Sequence, residues 1–481
     1  MRVRKSSFSL LLASVLVLPA ARGAPVLLAI GNMGGLTADL SAETSGLLEN
    51  GVKGNFFGGI GSGLAWAGGN TFIATPDRGP NANLYNPLVD DTTSYIARFQ
   101  TLTLNLTASN SPGLPFTLSP ALTATTLLST SDTLNYGTGA LGTDAAHSLP
   151  SGTPALNAIN HTNYFTGRSD NFDPTPSSTN PNNGRLDPEG VRVSKDGKSI
   201  FISDEYGPYV YQFDRASGQR MKSFALPANL AVATPGPTTA SEGKPTNTSG
   251  RVANKGMEGL AITPDGRMLI GIMQAPLLQD SNNNVRIVTI DIATGATKEF
   301  AYKLTTGSGV SEIVALNDHQ FLVDERDGKG LGDGTSASIK QLYKIDLTGA
   351  VDVSGKLGDL SAFAVGKTLF LDLLPPLNAA GIANAQVPAK IEGLAFGEDL
   401  LFNGTRLHTL FVANDNDFVP GVAGDSKFFV FGVSDADLEA TGATFTPQQF
   451  VTEPATFALL ALGLFGIAVT RKRKQLRSGC M

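Results

Sequence analysis

The chain has 481 residues, with 36 basic and 42 acidic side chains, a formal charge of −6, only 16% charged residues and 54 glycines. That composition argues against long charged helices, gives no footing for nucleic-acid binding, and suits an all-β, turn-rich, secreted protein. A single cysteine, Cys480, excludes an internal disulfide, a Cys-ligated metal and a Cys nucleophile.

Residues 1–24 open with Arg2, Arg4 and Lys5, continue with an apolar run from Phe8 to Leu18, and end in small residues around Gly23 and Ala24. This is the pattern of a secretory signal peptide. The expected domain then runs from 25 to 439, and Val26–Ile30 is a candidate strand for closing a ring beside the last repeat.

A short unit recurs along this domain. A weak copy, Ser62-Gly63-Leu64-Ala65 followed by Phe72-Ile73-Ala74-Thr75, comes first. After a Thr-, Ser-, Asn- and Pro-rich stretch at 101–185, read as a long insertion that either contributes strands of an extra blade or forms a surface excursion, the unit returns as Pro188-Glu189-Gly190-Val191 with Phe201-Ile202-Ser203-Asp204-Glu205. It returns again at Met257-Glu258-Gly259-Leu260, at Ser311-Glu312-Ile313-Val314 with Phe321 to Glu325, and at Ile391-Glu392-Gly393-Leu394 with Leu410 to Asp415. Within the units, Asp196-Gly197 and Asp265-Gly266 separate apolar runs and predict tight hairpins. A second hairpin follows in each unit, turning near Gly218, Gly295 and Gly349. Four antiparallel strands per repeat predict a β-propeller of five to seven blades, with six the expected number.

In a propeller the first strand of each blade lines the central channel. Glu189, Glu258, Glu312 and Glu392 all precede such a strand, which predicts a ring of carboxylates at one mouth. Asp204, Glu205, Asp324, Glu325, Asp415 and Asp417, at the ends of the second strands, predict a further acidic layer, with Arg326 placed to face a substrate anion. Clustered carboxylates repel one another unless a cation neutralises them, and an all-oxygen donor set suits Ca²⁺ better than Zn²⁺. The candidate metal ligands are thus Glu189, Asp204, Glu205, Glu258, Asp324, Glu325, Glu392 and Asp415; Glu189, Glu258, Glu312, Glu392 and Arg326 are the candidate catalytic groups. Repeated acids of this kind also serve to lock blade to blade. The four histidines have no metal-ligand spacing, and no phosphate-cradling loop precedes a helix.

Residues 440–453 read as a linker, and 454–481 as a sorting segment. Thr452-Glu453-Pro454 is followed by apolar Phe457 to Val469, short for a membrane span, and then by Arg471-Lys472-Arg473-Lys474. This order resembles the PEP-CTERM sorting tail, with Thr in place of the first Pro. The resemblance implies export across the inner membrane of a Gram-negative bacterium, transient anchoring, cutting by an exosortase-type enzyme, and release to the surface or exterior. The two tails hold nine of the 36 basic residues, so the intervening chain carries 27 basic against 42 acidic residues, an excess of 15 negative charges that favours cations over polyanions.

The strings Asp187-Pro188-Glu189-Gly190, Ser203-Asp204-Glu205-Tyr206-Gly207-Pro208-Tyr209, Asn254 to Leu260, Glu325-Arg326-Asp327, Lys390 to Leu394 and Ala413 to Phe418 resemble the bacterial phytase-like domain with esterase-like activity, across roughly residues 50–435. The resemblance implies a hydrolase of carboxylic or phosphate esters and, by likeness to calcium-dependent phytases, bound Ca²⁺ and no organic cofactor. The Asp-Asp-Pro-Ala start and the dense basic cluster of those phytases are absent. The alternative reading is a non-catalytic surface propeller that binds exopolysaccharide or a partner protein.

Overall fold

The computed structural model describes residues 24–80, 92–109, 113–136, 156, 158–173, 179–236 and 238–451. The expected signal peptide and the sorting segment therefore lie outside the described residues, Ala24 excepted.

Five four-stranded antiparallel sheets form the ring, one fewer than the six expected and inside the range of five to seven. Blade 1 is Gly63–Trp66, Thr71–Thr75, Arg98–Ala108 and Phe116–Leu127. Residues 101–108 and 116–127 of the expected insertion are thus blade strands. Blade 2 is Pro188–Val193, Ser199–Asp204, Tyr209–Asp214 and Arg220–Ala225. Blade 3 is Met257–Ile262, Met268–Met273, Asn284–Asp291 and Thr297–Lys303. Blade 4 is Gly309–Ala315, Gln320–Arg326, Lys340–Asp346 and Lys367–Asp372. Blade 5 is Lys390–Phe396, Thr405–Asp415 and Lys427–Val433, completed on its outer edge by the N-terminal strand Val26–Asn32.

The first strands pack side by side in the order 1-2-3-4-5 and back to 1, which closes the ring. Apolar side chains fill the spaces between blades; Phe201, Val210 and Phe224 of blade 2, for example, meet Leu260, Ile262 and Leu269 of blade 3. Hairpin chemistry fixes the registers. Asp196 accepts the Lys198 amide at 3.0 Å and Asp265 the Arg267 amide at 3.0 Å, while Gly197 and Gly266 take φ of 71° and 74°, which costs a glycine little.

The first strands run from an upper to a lower mouth of the channel. After blade 5 and the short helix Asp435–Glu439, residues 443–451 cross the lower mouth as a strap. The Thr446 amide donates to the Leu316 carbonyl at 2.8 Å, Gln448 Nε2 to the Val193 carbonyl at 2.9 Å, and the Val451 amide to the Lys195 carbonyl at 2.9 Å. Phe445 packs on Phe396 at 4.5 Å and Phe450 on Trp66 at 5.3 Å between ring centroids. Among the described residues no helix is long and apolar enough to cross a membrane; the apolar stretch Phe457 to Val469 lies outside them.

Candidate functional site

The upper mouth opens into a cavity of about 830 Å³. Two positions per blade build it. In blades 2 to 5 the pairing of first and second strands slips at one residue, a β-bulge that turns a side chain toward the axis. The bulged positions are Glu189, Glu258, Ser311 and Glu392, and Ser62 stands at the matching place in blade 1. The second set lies at or just beyond the paired end of the second strand: Asp77, Glu205, Gln274, Arg326 and Asp415 in blades 1 to 5. All of these but Ser311 line the cavity, together with Asp187, Asp327 and Asp417. Among the described lining residues nine carboxylates face four cations, Arg78, Lys255, Arg326 and Lys390.

Blade 4 departs by one residue from what the sequence pattern suggests. Ser311, not Glu312, occupies the bulge; Glu312 matches the glycine of Glu258-Gly259. A Cβ on Gly259 would come within 2.8 Å of the Glu312 backbone, so the ring is too tight there for a side chain pointing at a neighbour. Glu312 instead lies in the channel below the cavity. It accepts the Leu260 and Ile313 amides, each at 2.9 Å, and pairs with Arg192 at 3.1 Å. Arg192 also donates to the Leu64 carbonyl at 2.6 Å and the Ile313 carbonyl at 2.7 Å. The pair joins four blades in the channel. Burial dominates it, lifting Glu312 to about 7 and pulling Arg192 below its usual value despite their mutual attraction.

The same one-residue offset moves the second acidic pair. Glu205 of blade 2 matches Arg326 of blade 4, so Asp324 and Glu325 both fall short of the cavity. Glu325 turns outward to Lys367, the Tyr302 hydroxyl, the Thr305 amide and the Ser308 hydroxyl. Asp324 is fully buried without a hydrogen-bond partner, and burial raises it well above the ordinary carboxylate range. Asp204 also points away, accepting the amides of Asp187, Tyr206 and Gly207 at 3.0–3.1 Å; burial still lifts it to about 7. Of the residues selected from the sequence, the cavity gathers Glu189, Glu205, Glu258, Glu392, Arg326 and Asp415, but not Asp204, Glu312, Asp324 or Glu325. Asp77, Asp187 and Asp417 join them without having been selected as ligands.

Two carboxylate triads stand out, Asp187–Glu189–Glu205 and Asp77–Asp415–Asp417, each with three oxygens within 4.8 Å of one another. In the second, Lys390 Nζ bonds Asp415 Oδ2 at 2.8 Å and Asp417 Oδ1. The left-handed backbone at Asp417, φ 50°, belongs to the turn that carries this carboxylate. Burial holds Asp77 up at about 6 against the pull of Lys390, and raises Asp415 well above its ordinary value. Among the described residues the first triad holds no amine. Glu205 accepts the Gly256 amide at 3.0 Å, and the Arg78 guanidinium approaches Asp187 at 3.5 Å. Burial, reinforced by Glu258 and Asp187, lifts Glu189 well above the carboxylate range. Beside it Glu258 accepts Gln274 Nε2 at 2.7 Å through Oε1, whereas its Oε2 is buried without a partner. Burial raises Glu258 too, with Glu205 its strongest carboxylate neighbour. Arg326 donates to Ser311 Oγ at 2.6 Å and to Glu392, and lies 3.9 Å from Glu258.

A family model described as phytase-like, esterase-like activity of phytase, matches residues 55–418, most of the chain and every described lining residue of this cavity but Val419. The chain belongs to the phytase-like family. A second model, the PEP-CTERM protein-sorting motif, matches residues 450–474 and points this phytase-like protein toward export and a surface or extracellular location. An uncharacterized secreted protein of Arthroderma benhamiae is 29% identical over 178 residues, covering 30% of this chain and 34% of that relative. Solved structures similar to this chain include the periplasmic gluconolactonase of Pseudomonas aeruginosa (13% identity, 81% and 88% of the two chains, TM-score 0.29) and hydrazine synthase of Kuenenia stuttgartiensis (11% identity, 82% of each chain, TM-score 0.30). Likenesses this distant add nothing to the chemistry of the phytase-like site.

Proposed function

We propose that this phytase-like protein is an exported, metal-assisted hydrolase of phosphate or carboxylic esters. One observation carries the reading: an amine-free triad, Asp187–Glu189–Glu205, beside the unpartnered buried Oε2 of Glu258, all on one open cavity. Three hard oxygens within 4.8 Å of one another suit Ca²⁺, whose ligands stand about 2.3–2.6 Å from the ion and so at most about 5 Å from each other. A buried carboxylate oxygen with no donor is costly unless it is protonated or meets a cation.

When bound, such a cation polarises the ester oxygen and acidifies a coordinated water. The chain's own residues supply the rest. Arg326, fixed between Glu392 and Glu258, presents a guanidinium to the substrate anion without freedom to reorganise. Lys255, exposed at the rim, attracts that anion into a mouth that would otherwise repel it. Asp77, raised to about 6 by burial, holds a proton available near neutral pH for a leaving alkoxide. The sorting motif supports processing by an exosortase-type enzyme before release.

The test is turnover of phosphate and carboxylic esters by the purified protein, with chelator and after Ca²⁺ is restored. Loss on chelation and recovery on Ca²⁺ addition support the reading. Turnover indifferent to chelator removes the metal from it. No turnover on any ester, together with binding of exopolysaccharide, favours a surface-binding propeller instead.

A further inference from the structure

The stretch at 440–453 that reads as a linker is not a free tether. Its residues 443–451 are stitched across the lower mouth, from the Leu316 carbonyl after the first strand of blade 4 to the Lys195 carbonyl in the first turn of blade 2. The Phe450–Trp66 and Phe445–Phe396 contacts add apolar anchorage on blades 1 and 5. Asn317 Nδ2 also donates to the Thr444 carbonyl at 3.1 Å. Val451, the last described residue, is thus fixed to the lower face, opposite the acidic cavity.

Five residues separate Val451 from Phe457, where an uncharged apolar run begins that ends at Val469 and is followed by four consecutive basic residues. The six steps from Val451 to Phe457 reach at most about 20 Å even when fully extended. Whatever inserts that apolar run into a lipid surface therefore holds the lower face close to it. The strap crosses the channel from blade 4 to blade 2, so the ring cannot swing about a single attachment point without breaking several of these contacts. The charge distribution acts in the same direction. The upper mouth has five more carboxylates than cations among its described lining residues, and an anionic lipid surface repels it within a Debye length of about 8 Å.

We infer that, while the C-terminal segment is in a membrane, the lower face of the propeller is the lipid-facing surface and the acidic mouth opens away from the bilayer. The substrate-side mouth is then exposed to the exported compartment before the tail is cut as well as after. This orientation rests on the strap and the tail, not on the proposed chemistry, and it holds whether or not the cavity hydrolyses esters.

The experiment uses the full chain with Cys480→Ser, reconstituted in vesicles of phosphatidylethanolamine and phosphatidylglycerol that carry a headgroup quencher. One fluorophore is placed through Arg267→Cys in the lower turn of blade 3, another through Lys303→Cys at the upper end of the same blade; both sites are exposed and neither lines the cavity. The expected result is quenching at residue 267 at least about threefold greater than at residue 303. A third protein carrying Phe450→Ala and Gln448→Ala, with the fold checked by circular dichroism, is expected to lose that difference as the strap loosens. Equal quenching at both sites in the strapped protein, or greater quenching at residue 303, overturns the inference.

Discussion

The two carboxylate triads of the upper mouth each bring three acids together, one from blade 2 and the other from blades 1 and 5, and they differ in what neutralises them. Asp77–Asp415–Asp417 is filled by the protein's own ammonium, Lys390, whereas Asp187–Glu189–Glu205 has no amine within it and adjoins an unpartnered oxygen of Glu258. The difference teaches that a cage of acids does not by itself announce a metal. Lys390 sits two residues before Glu392 on the first strand of blade 5, where period-two alternation brings both side chains to the same side. Neutralising the second cage internally leaves the first as the place where an external cation has most to gain.

The sharpest way to break this comparison is Glu189→Gln, which removes a ligand from the open triad while keeping its shape. Ca²⁺ affinity measured by calorimetry is expected to fall by at least about 100-fold, with turnover falling in parallel; unchanged affinity would falsify the assignment of this triad. Lys390→Met comes next. In chelator it strands a set of buried acids and is expected to cost about 2 kcal/mol in urea unfolding, below the range for a fully buried pair because the lysine side chain is 32% exposed. Added Ca²⁺ is expected to restore that loss and to raise the binding stoichiometry by one; a variant that stays destabilised in Ca²⁺ would show that only an ammonium fits the second cage.

The pH dependence of the chelated protein separates the cages from ordinary surface acids. Asp77 is raised to about 6, and Asp187, Glu189, Glu258 and Asp415 are raised well above their ordinary values, burial being the leading cause for each. The folded state therefore binds protons that the unfolded state releases. That contribution is complete below the ordinary carboxylate range and is lost as pH rises through the folded values, so the melting temperature is expected to decline from pH 4 through pH 6 and above. Ca²⁺, which favours the ionised acids, is expected to flatten that decline; a chelated protein whose stability rises over this window would contradict the burial of these groups. The smallest effect belongs to Lys255→Ala at the rim. It is expected to raise KM for an anionic ester a few-fold at low salt, with stability changed by less than about 0.5 kcal/mol.

Much of this architecture was legible in the chain itself. The repeated apolar pairs and their Asp-Gly turns determine the blades, and Glu189, Glu258 and Glu392 follow directly from the Glu-Gly signature. Blade 4 was not legible in the same way. Ser311-Glu312 looks like Glu258-Gly259 when only the acid is matched, but the bulge register sets Ser311 against Glu258 and sends Glu312 down to Arg192. In a strand a one-residue slip exchanges the faces, which is why a plausible catalytic acid becomes a brace between blades. Asp324-Glu325 carries the same slip relative to Asp204-Glu205, because the two strands of blade 4 keep their pairing with each other. Asp77 and Asp187 were hidden for a different reason. Each gains its role only from partners distant in sequence, Asp77 from Asp415 and Asp417, and Asp187 in concert with Glu205 and Arg78.

The N-terminal strand Val26–Asn32 completes blade 5 by pairing with Lys427–Val433, some four hundred positions downstream. A contact of such long sequence separation has a large loop-closure cost and forms late. The strand also begins within a few residues of the expected signal cleavage site. A chain threaded outward from its N-terminus thus cannot seal its ring until its last blade has emerged, and until then the N-terminal strand is without its partner. The order of translocation is in this way also the order of closure, and a protein that reaches the far side of the membrane incomplete remains an open, protease-accessible arc.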